Sequence, residues 1–248
     1  MYHFFVSPEQ IGENEIRIEG PDVNHIKNVL RMHPGEEVRL CTGQDMKDYR
    51  CEIAQVGDTY VLAKIRWVEE NGTELSSRLY LFQGLPKSDK MELIIQKAVE
   101  LGAYEIIPVA AKRAVVKLDA KKEETKRKRW NAISESAAKQ SKRMVIPKVT
   151  KVMSFAEAVA YAEDACDVRL IPYERAENMD RTRELLSALR PGQSVGIFIG
   201  PEGGFEDTEV EAAMEHGMKA ITLGRRILRT ETAGLAVLSA LMFQLESR

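Results

Sequence analysis

The sequence predicts an α/β protein: a larger C-terminal domain built on a parallel sheet covered by helices, preceded by a small β-barrel. Three observations carry that prediction. From residue 73 onward, short apolar runs alternate with amphipathic stretches, the rhythm of a parallel sheet with crossover helices. Before that point, segments with partial period-2 alternation follow one another, punctuated by Gly and Asp. Near the C-terminus, "VGIFIGPEGGFEDTEVEAAMEHG" and "AITLGRRILRTETAG" place two glycine-bearing junctions between a strand and a helix.

In chain order, "EIRIEG", "EEVRLCTG", "YRCEIAQVG" and "TYVLAKIRWVEE" are the barrel strands. One helical piece, "DVNHIKNVLRM", interrupts them, with Val23, Ile26, Val29 and Leu30 on one face and Pro34-Gly35 as its stop. The polar stretch "ENGTELSS" marks a boundary, giving domains 1–72 and 73–248. Beyond it, "RLYLFQG" is a strand and "SDKMELIIQKAVELG" a helix. Its Met91, Ile94, Ile95, Ala98 and Leu101 keep the 3.6-residue period, and Gly102 closes it. "YEIIPVA", "DVRLIPYE", "VGIFIG" and "AITLG" supply further strands, and "TAGLAVLSALMFQLE" a closing apolar helix.

The 248 residues suffice for a sizeable core, and 44% hydrophobic with 30% charged residues is ordinary for a globular protein. A formal net charge of −2 excludes an overall field aimed at nucleic acid or membrane. No apolar run approaches the roughly 20 residues a bilayer requires, and the start, "MYHFFVSPEQ", lacks the regions of a signal peptide. Cys41, Cys51 and Cys166 form no C-x-x-C pair and read as reduced thiols of a cytoplasmic protein. His3, His25, His33 and His216 show no metal-ligand spacing, so no metal is expected. "GQSVG" has the letters of a nucleophile elbow, but a strand follows its Ser where a helix is needed.

Locally the charge is uneven. In "KKEETKRKRWNAISESAAKQSKR", helical spacing aligns Arg129, Ala132, Ser136, Lys139 and Arg143 on one stripe, with Trp130, Ile133 and Ala137 on an adjoining, less polar one. Two readings stand: a face that contacts RNA phosphates, or a solvated helix surface. His25 near Arg31 borders a candidate ligand groove. The two glycine loops are more specific. "GPEGGF" is neither G-x-G-x-x-G nor a P-loop, which argues against a dinucleotide or triphosphate site. Gly200-Pro201-Glu202-Gly203 and Leu223-Gly224 end what are expected to be two neighbouring parallel strands, Ile227 and Leu228 add apolar walls, and Thr230 to Thr232 start a helix whose N–H groups would face the same crevice. An apolar slot bordered by bare backbone groups at strand carboxyl ends suits a flat heterocycle such as adenine. The plainer alternative is two tight turns without a ligand.

Together, "GLPKSDKMELIIQKAVELG", "ESAAKQSKR", "IGPEGGF" and "LGRRILRTETA" closely resemble the bacterial 16S ribosomal RNA uridine N3-methyltransferases of the SPOUT superfamily, over nearly the whole chain. "HIKNVLRMHPGEEVRL" is similar to that family's RNA-binding domain, a PUA-like barrel. His3 stands where many members have an arginine, and "TGQDMKDY" carries one glycine where relatives are often richer. The resemblance implies a C-terminal domain tied in a trefoil knot, a cytoplasmic homodimer, S-adenosylmethionine as cofactor, and 16S ribosomal RNA within the small subunit as partner. It implies a cofactor loop of Ile199, Gly200, Pro201, Glu202 and Gly203, and a second of Leu223, Gly224, Ile227, Leu228 and Arg229, closed by Thr232 and Ala233. RNA would meet His25, Arg31, Arg129, Lys139 and Arg143.

Methylation of uridine N3 needs loss of the imide proton and a cation for the developing charge. Arg229 is the candidate cation, with Arg143 second. Glu202 is the candidate proton acceptor, with Glu231 behind it, although the Glu202 carboxylate can equally serve to tie the glycine loop. Two other classes stay open. One is a non-enzymatic RNA-binding or ribosome-assembly protein. The other is a phosphate-binding metabolic enzyme using Arg225, Arg226 and Arg229.

Overall fold

Five strands near the N-terminus, β1 (Tyr2–Phe5), β2 (Glu15–Glu19), β3 (Glu37–Cys41), β4 (Lys47–Val56) and β5 (Tyr60–Glu70), form one sheet in the order β1-β3-β4-β5-β2. All pairs are antiparallel except β1 with β3. In the computed structural model, residues 1–70, 72–176 and 178–246 are described; Asn71, within the polar boundary stretch, lies outside them. Alternation decides which face is apolar: Ile16 and Ile18 of β2 are buried while Glu15, Arg17 and Glu19 are exposed. Strand β1 was not among the strands expected.

Helix α1 (Pro21–Asn24) runs into a π turn over His25–Val29. Val23 and Ile26 point into the core as the period requires, but Val29 is 61% exposed. The cause is the wider turn. The Leu30 N–H donates to the His25 carbonyl five residues back at 2.8 Å, and the extra residue rotates Val29 off the buried face.

A charge cluster is buried beside this core. Asp48, fully buried, meets Arg39 at 2.5 Å and Arg50 at 3.2 Å. His3 is 8% exposed, and burial first, then the Arg39 charge, push its imidazole from the ordinary 6.5 down to about 4.

The chain forms two compact units. Ala138–Ile146, placed by the sequence in the second domain, belong to the first unit together with Met1–Glu74. Glu74 supplies the reason. Its carboxylate accepts the Met144 N–H at 2.8 Å, the Val145 N–H at 3.2 Å and the Arg143 Nη2 at 2.5 Å. Met144 is buried, and the Ile146 N–H donates to Gly43 O at 3.0 Å.

The second unit comprises Leu75–Ala137 and the chain from Pro147 onward. Its strands are β6 (Arg78–Gly84), β7 (Ala103–Ala110), β8 (Lys148–Val149), β9 (Met153–Ser154), β10 (Val168–Pro172), β11 (Ser194–Ile199) and β12 (Lys219–Ile221). They lie in the order β12-β10-β11-β6-β7-β8, with β9 also on β7, and every pair is parallel. Its helices are α2 (Lys90–Glu100), α3 (Ala120–Gln140), α4 (Phe155–Ala165), α5 (Met179–Ser187), α6 (Asp207–Glu215) and α7 (Thr230–Leu245); α3 passes into the first unit at Ala138. Phe82 of β6 and Phe198 of β11, direct partners in the ladder, stack at 4.2 Å in the core. Such a pair adds about 1 kcal/mol beyond the area it buries.

All three cysteines are free and buried, and burial pushes each thiol up to about 12. Among the described residues no helix is long and apolar enough to cross a membrane, and no cluster of His, Cys, Asp or Glu has the makings of a metal site.

His3 has a measurable consequence. The folded chain protonates it near 4 and the unfolded chain near 6.5, so between those values the unfolded chain holds the extra proton. Stability from this group is complete above the unfolded value and is lost as pH falls toward 4, by up to about 3 kcal/mol. Denaturant unfolding at about pH 7 and about pH 4.5 should show that loss, and His3→Phe should shrink it. An identical pH dependence in both proteins would contradict it.

Candidate active site

The site begins at the carboxyl end of β6. A Cβ at Gly84 would lie 2.5 Å from the Pro201 nitrogen and 2.9 Å from the Gly200 carbonyl carbon, so the loop after β11 rests directly on the Gly84 backbone. The preceding residue, Gln83, is fully buried. Its Nε2 donates to Gly84 O at 3.0 Å and to Thr230 Oγ1 at 2.9 Å, and the Thr230 hydroxyl donates to Gly200 O at 2.6 Å. One buried chain of hydrogen bonds thereby joins β6, the first glycine loop and the start of α7. Gly234 of α7 is buried, and a Cβ there would lie 3.5 Å from Ile199 and 3.6 Å from Leu81.

Glu202 points back toward α2. Its carboxylate accepts the Lys87 N–H at 3.1 Å and lies 3.1 Å from the Lys90 ammonium. Burial favours the neutral acid, but the Glu202 and Lys87 amides and the Lys90 charge outweigh it, holding this carboxyl below its usual range. Glu231, 3.2 Å from the same ammonium, is also held low, by its own backbone amide and by Lys90 and Arg229 against the effect of burial. Both acids are therefore firmly ionised and weak as bases. Of the two roles open to Glu202, these bonds support the loop tie.

The second loop leaves β12, and here the structure corrects the sequence. The strands ending in the two glycine loops are not neighbours, because β10 lies between β11 and β12. Two strand spacings, about 10 Å, separate these two strands. The end of β10 occupies the middle: the Tyr173 N–H donates to Ile221 O at 3.0 Å, and its hydroxyl to Asp207 Oδ1 at 2.8 Å. Gly224 turns the second loop with a φ of +102°, a conformation that favours glycine. Ile199 is buried and Leu223 and Leu228 are half-buried, as apolar walls would be. Ile227 is not a wall, being 92% exposed. Nor do the Thr232 and Ala233 amides face an open crevice: both donate to the Arg229 carbonyl, at 2.9 and 2.8 Å, within the first turn of α7. The Arg229 side chain itself is exposed.

The expected basic stripe is broken. Helix α3 ends at Gln140, and Lys142 takes a φ of +60°, so Arg143 does not continue the helical face. Arg143 is 5% exposed and paired with Glu74, which withdraws it from the RNA-facing and second-choice catalytic roles. Lys139 lies half-buried, 3.4 Å from Asp22. Arg129 is exposed and held by both oxygens of Glu92 at 2.8 Å. Trp130 and Ala137 are buried, as the less polar stripe requires. His25, at the start of the π turn, and Arg31, just beyond it, are both exposed, and Arg31 adopts a φ of +53°.

Gln83, Gly84, Lys87, Lys90 and Tyr173 had no assigned role in the sequence. Four of them lie in "QGLPKSDK", whose lone buried polar strand residue and following glycine were the available signal.

The hydroxyl bridge can be tested directly. Thr230→Val leaves the Gly200 carbonyl and the Gln83 amide short of a buried partner, and should cost about 1–3 kcal/mol in denaturant unfolding. Thr230→Ser should recover most of it. Equal stability of the Val and Ser variants would remove the bridge from the account.

Residues 73–242 match the model of the RNA methyltransferase domain family, and residues 18–66 that of the RNA methyltransferase PUA domain. The chain is 41% identical to ribosomal RNA small subunit methyltransferase E of Bacillus subtilis, over 99% of this chain and 96% of that protein. Its counterpart from Mesomycoplasma hyopneumoniae is 34% identical over 96% and 98%. The crystal structure of the Neisseria gonorrhoeae ribosomal RNA small subunit methyltransferase E, bound to S-adenosyl methionine, is similar with a TM-score of 0.82 and 30% identity, covering 98% of this chain and 97% of that one. With this likeness running through both the PUA-like and the parallel-sheet parts, the chain belongs to the ribosomal RNA small subunit methyltransferase E family.

Proposed function

We propose that this protein is an S-adenosylmethionine-dependent methyltransferase acting on small-subunit ribosomal RNA, and that the atom methylated is N3 of a uridine in 16S RNA. The observation that carries the reading is the Thr230–Gly200 hydrogen bond, which ties the first glycine loop to the start of α7 just after the second, in a chain related end to end to that family. The residues fit the cofactor in kind. Gly84 admits only bare backbone beside Gly200 and Pro201, and Ile199, Leu223 and Leu228 supply apolar surface for a flat ring.

When bound, S-adenosylmethionine supplies a methyl group on a sulfonium, already an electrophile. The protein's own residues must orient it and make the nucleophile competent. N3 lies on the pairing edge of the base, so the uridine is unpaired and splayed from its strand. Arg229 is the cation that stabilises charge developing on the uracil oxygens; it is exposed at the end of the second loop, beside the half-buried Glu231. Because backbone amides and the Lys90 ammonium hold Glu202 and Glu231 ionised, the imide proton passes to water, and the two acids act as structural anions. The N3 lone pair then takes the methyl, and the electrons of the broken C–S bond stay on sulfur.

We assign RNA contact to the first unit, Met1–Glu74 with Ala138–Ile146, through His25 and Arg31, and catalysis to the second. Arg129 and Lys139 retain a role as secondary phosphate contacts. The largely apolar α7, with Phe243 82% exposed, supports a second copy of the chain as partner. Insertion of β11 between β6 and β10, together with the return of Thr230 to Gly200, supports a knotted C-terminal segment.

Two experiments test this. Small subunits from cells lacking the protein, incubated with it and labelled cofactor, should acquire one methyl on uridine N3, mapped by mass spectrometry; label on another atom or none would overturn the reading. In the same assay Arg229→Ala should lower turnover by about 10²–10³ while cofactor affinity changes little; loss of affinity alone would make Arg229 a binding residue. Separately, Arg31→Ala should weaken RNA binding and reduce the slope of its salt dependence by about one. An unchanged slope would remove Arg31 from the phosphate contacts.

A further inference from the structure

Three segments far apart in sequence meet at one ammonium. Lys90 opens α2, and its Nζ lies 3.1 Å from Glu202 Oε1, in the loop after β11, and 3.2 Å from Glu231 Oε2, in the first turn of α7. The two acid groups belong to the two loops in turn: Glu202 sits in the first glycine loop, and Glu231 lies two residues past the second. Sharing one cation places their charges within about 6 Å of each other, close enough to repel if that cation were removed. The approach to Lys90 is itself shaped for this contact. Ser88, a non-glycine residue, is held at a φ of +57°, and the turn it makes lets the Lys87 N–H and the Lys90 side chain both reach Glu202. Strained backbone of this kind persists where the surrounding structure over-determines it.

This tie differs from the Thr230 bridge in its surroundings. Thr230 and Gln83 are buried, and their bonds belong to the folding core. The Lys90, Glu202 and Glu231 side chains remain 28%, 29% and 18% exposed. Partly solvated ion pairs contribute little to global stability, so the fold does not require this one. What it does set is the distance between two loops that have no sheet hydrogen bonds of their own.

We propose that Lys90 is a positioning residue for the cofactor: by holding Glu202 and Glu231 together it fixes the spacing of the two loops and so governs affinity for S-adenosylmethionine, without touching the reacting atoms. The proposal rests on the cofactor reading above. It assigns Glu202 and Glu231 to the same device, each ionised because the Lys90 ammonium and nearby amides favour the charged form.

The test compares wild type, Lys90→Met, Lys90→Arg and Glu231→Gln by calorimetric titration with S-adenosylmethionine, by steady-state methylation of small subunits, and by thermal unfolding. Lys90→Met should raise both the Kd and the KM for the cofactor about tenfold, a loss of about 1.4 kcal/mol. Its kcat at saturating cofactor should stay within about threefold of wild type, and its melting temperature within about 3 °C. Lys90→Arg, which keeps a cation able to reach both acids, should recover most of the affinity. Glu231→Gln should show a smaller rise in Kd, because one arm of the tie survives. Cofactor affinity unchanged in Lys90→Met overturns the proposal, as does a fall in kcat with KM unaltered. A large drop in melting temperature that Glu231→Gln shares also overturns it, by making the contact a folding element. Wild-type protein that does not bind the cofactor overturns the cofactor reading itself, an outcome distinct from normal wild-type binding with an indifferent Lys90 variant.

Discussion

A threonine hydroxyl, donating 2.6 Å to a glycine carbonyl thirty residues earlier, holds the second unit's site in its shape. A parallel sheet pins its strands by ladder hydrogen bonds, but those bonds stop where the strand stops. Past Ile199 the chain has no ladder partner, and its loop is shaped by whatever else meets it. Thr230 meets it from α7, Gln83 meets Thr230 from β6, and the bare backbone of Gly84 lets the loop lie close enough for the chain of bonds to close. Gln83, Gly84 and Thr230 are buried and Gly200 is half-buried, and in such a setting an unpaired donor or acceptor costs more than the bond itself contributes. The glycines matter here mainly because they allow that closure, and only secondarily because they expose amides.

Charge in this protein is used mostly for construction. Arg143 and Glu74 draw Ala138–Ile146 into the first unit, Arg39 and Arg50 enclose Asp48, and Lys90 gathers two acids at the strand ends. A fully buried cation with a carboxylate at hydrogen-bond distance has no charge to spare for a phosphate. That separates Arg143 from Arg31 and Arg229, which resemble it in sequence but stand in solvent. The same reasoning moves Glu202 from chemistry to architecture, since an acid stabilised in its ionised form accepts a proton poorly.

The elements were legible wherever a period repeats. Five to eight apolar-rich residues between turn signals marked most strands of both units, and the 3.6-residue spacing of Met91, Ile94, Ile95 and Ala98 marked α2. Other elements rest on local signals without a period. Ser154 and Glu157 form a capping box that starts α4, and "YHFF" at the very start is a strand. The π turn was beyond a periodic reading, because one inserted residue changes the face of Val29 without changing any letter around it.

By itself the sequence determined the two kinds of sheet, the strand–loop–helix junctions, and which segments carry glycine where backbone must come close. These depend on contacts between residues near one another along the chain, and periodicity records such contacts. The tertiary structure alone decided that β10 separates the two glycine-loop strands, that Lys90 serves both loops, and that Arg143 is buried while Arg229 is not. Each of these depends on pairings across long stretches of chain, such as the 112 residues between Lys90 and Glu202. No local pattern encodes which distant partner will arrive, so the side chain's environment, and with it its charge and its role, is settled only when the chain has folded.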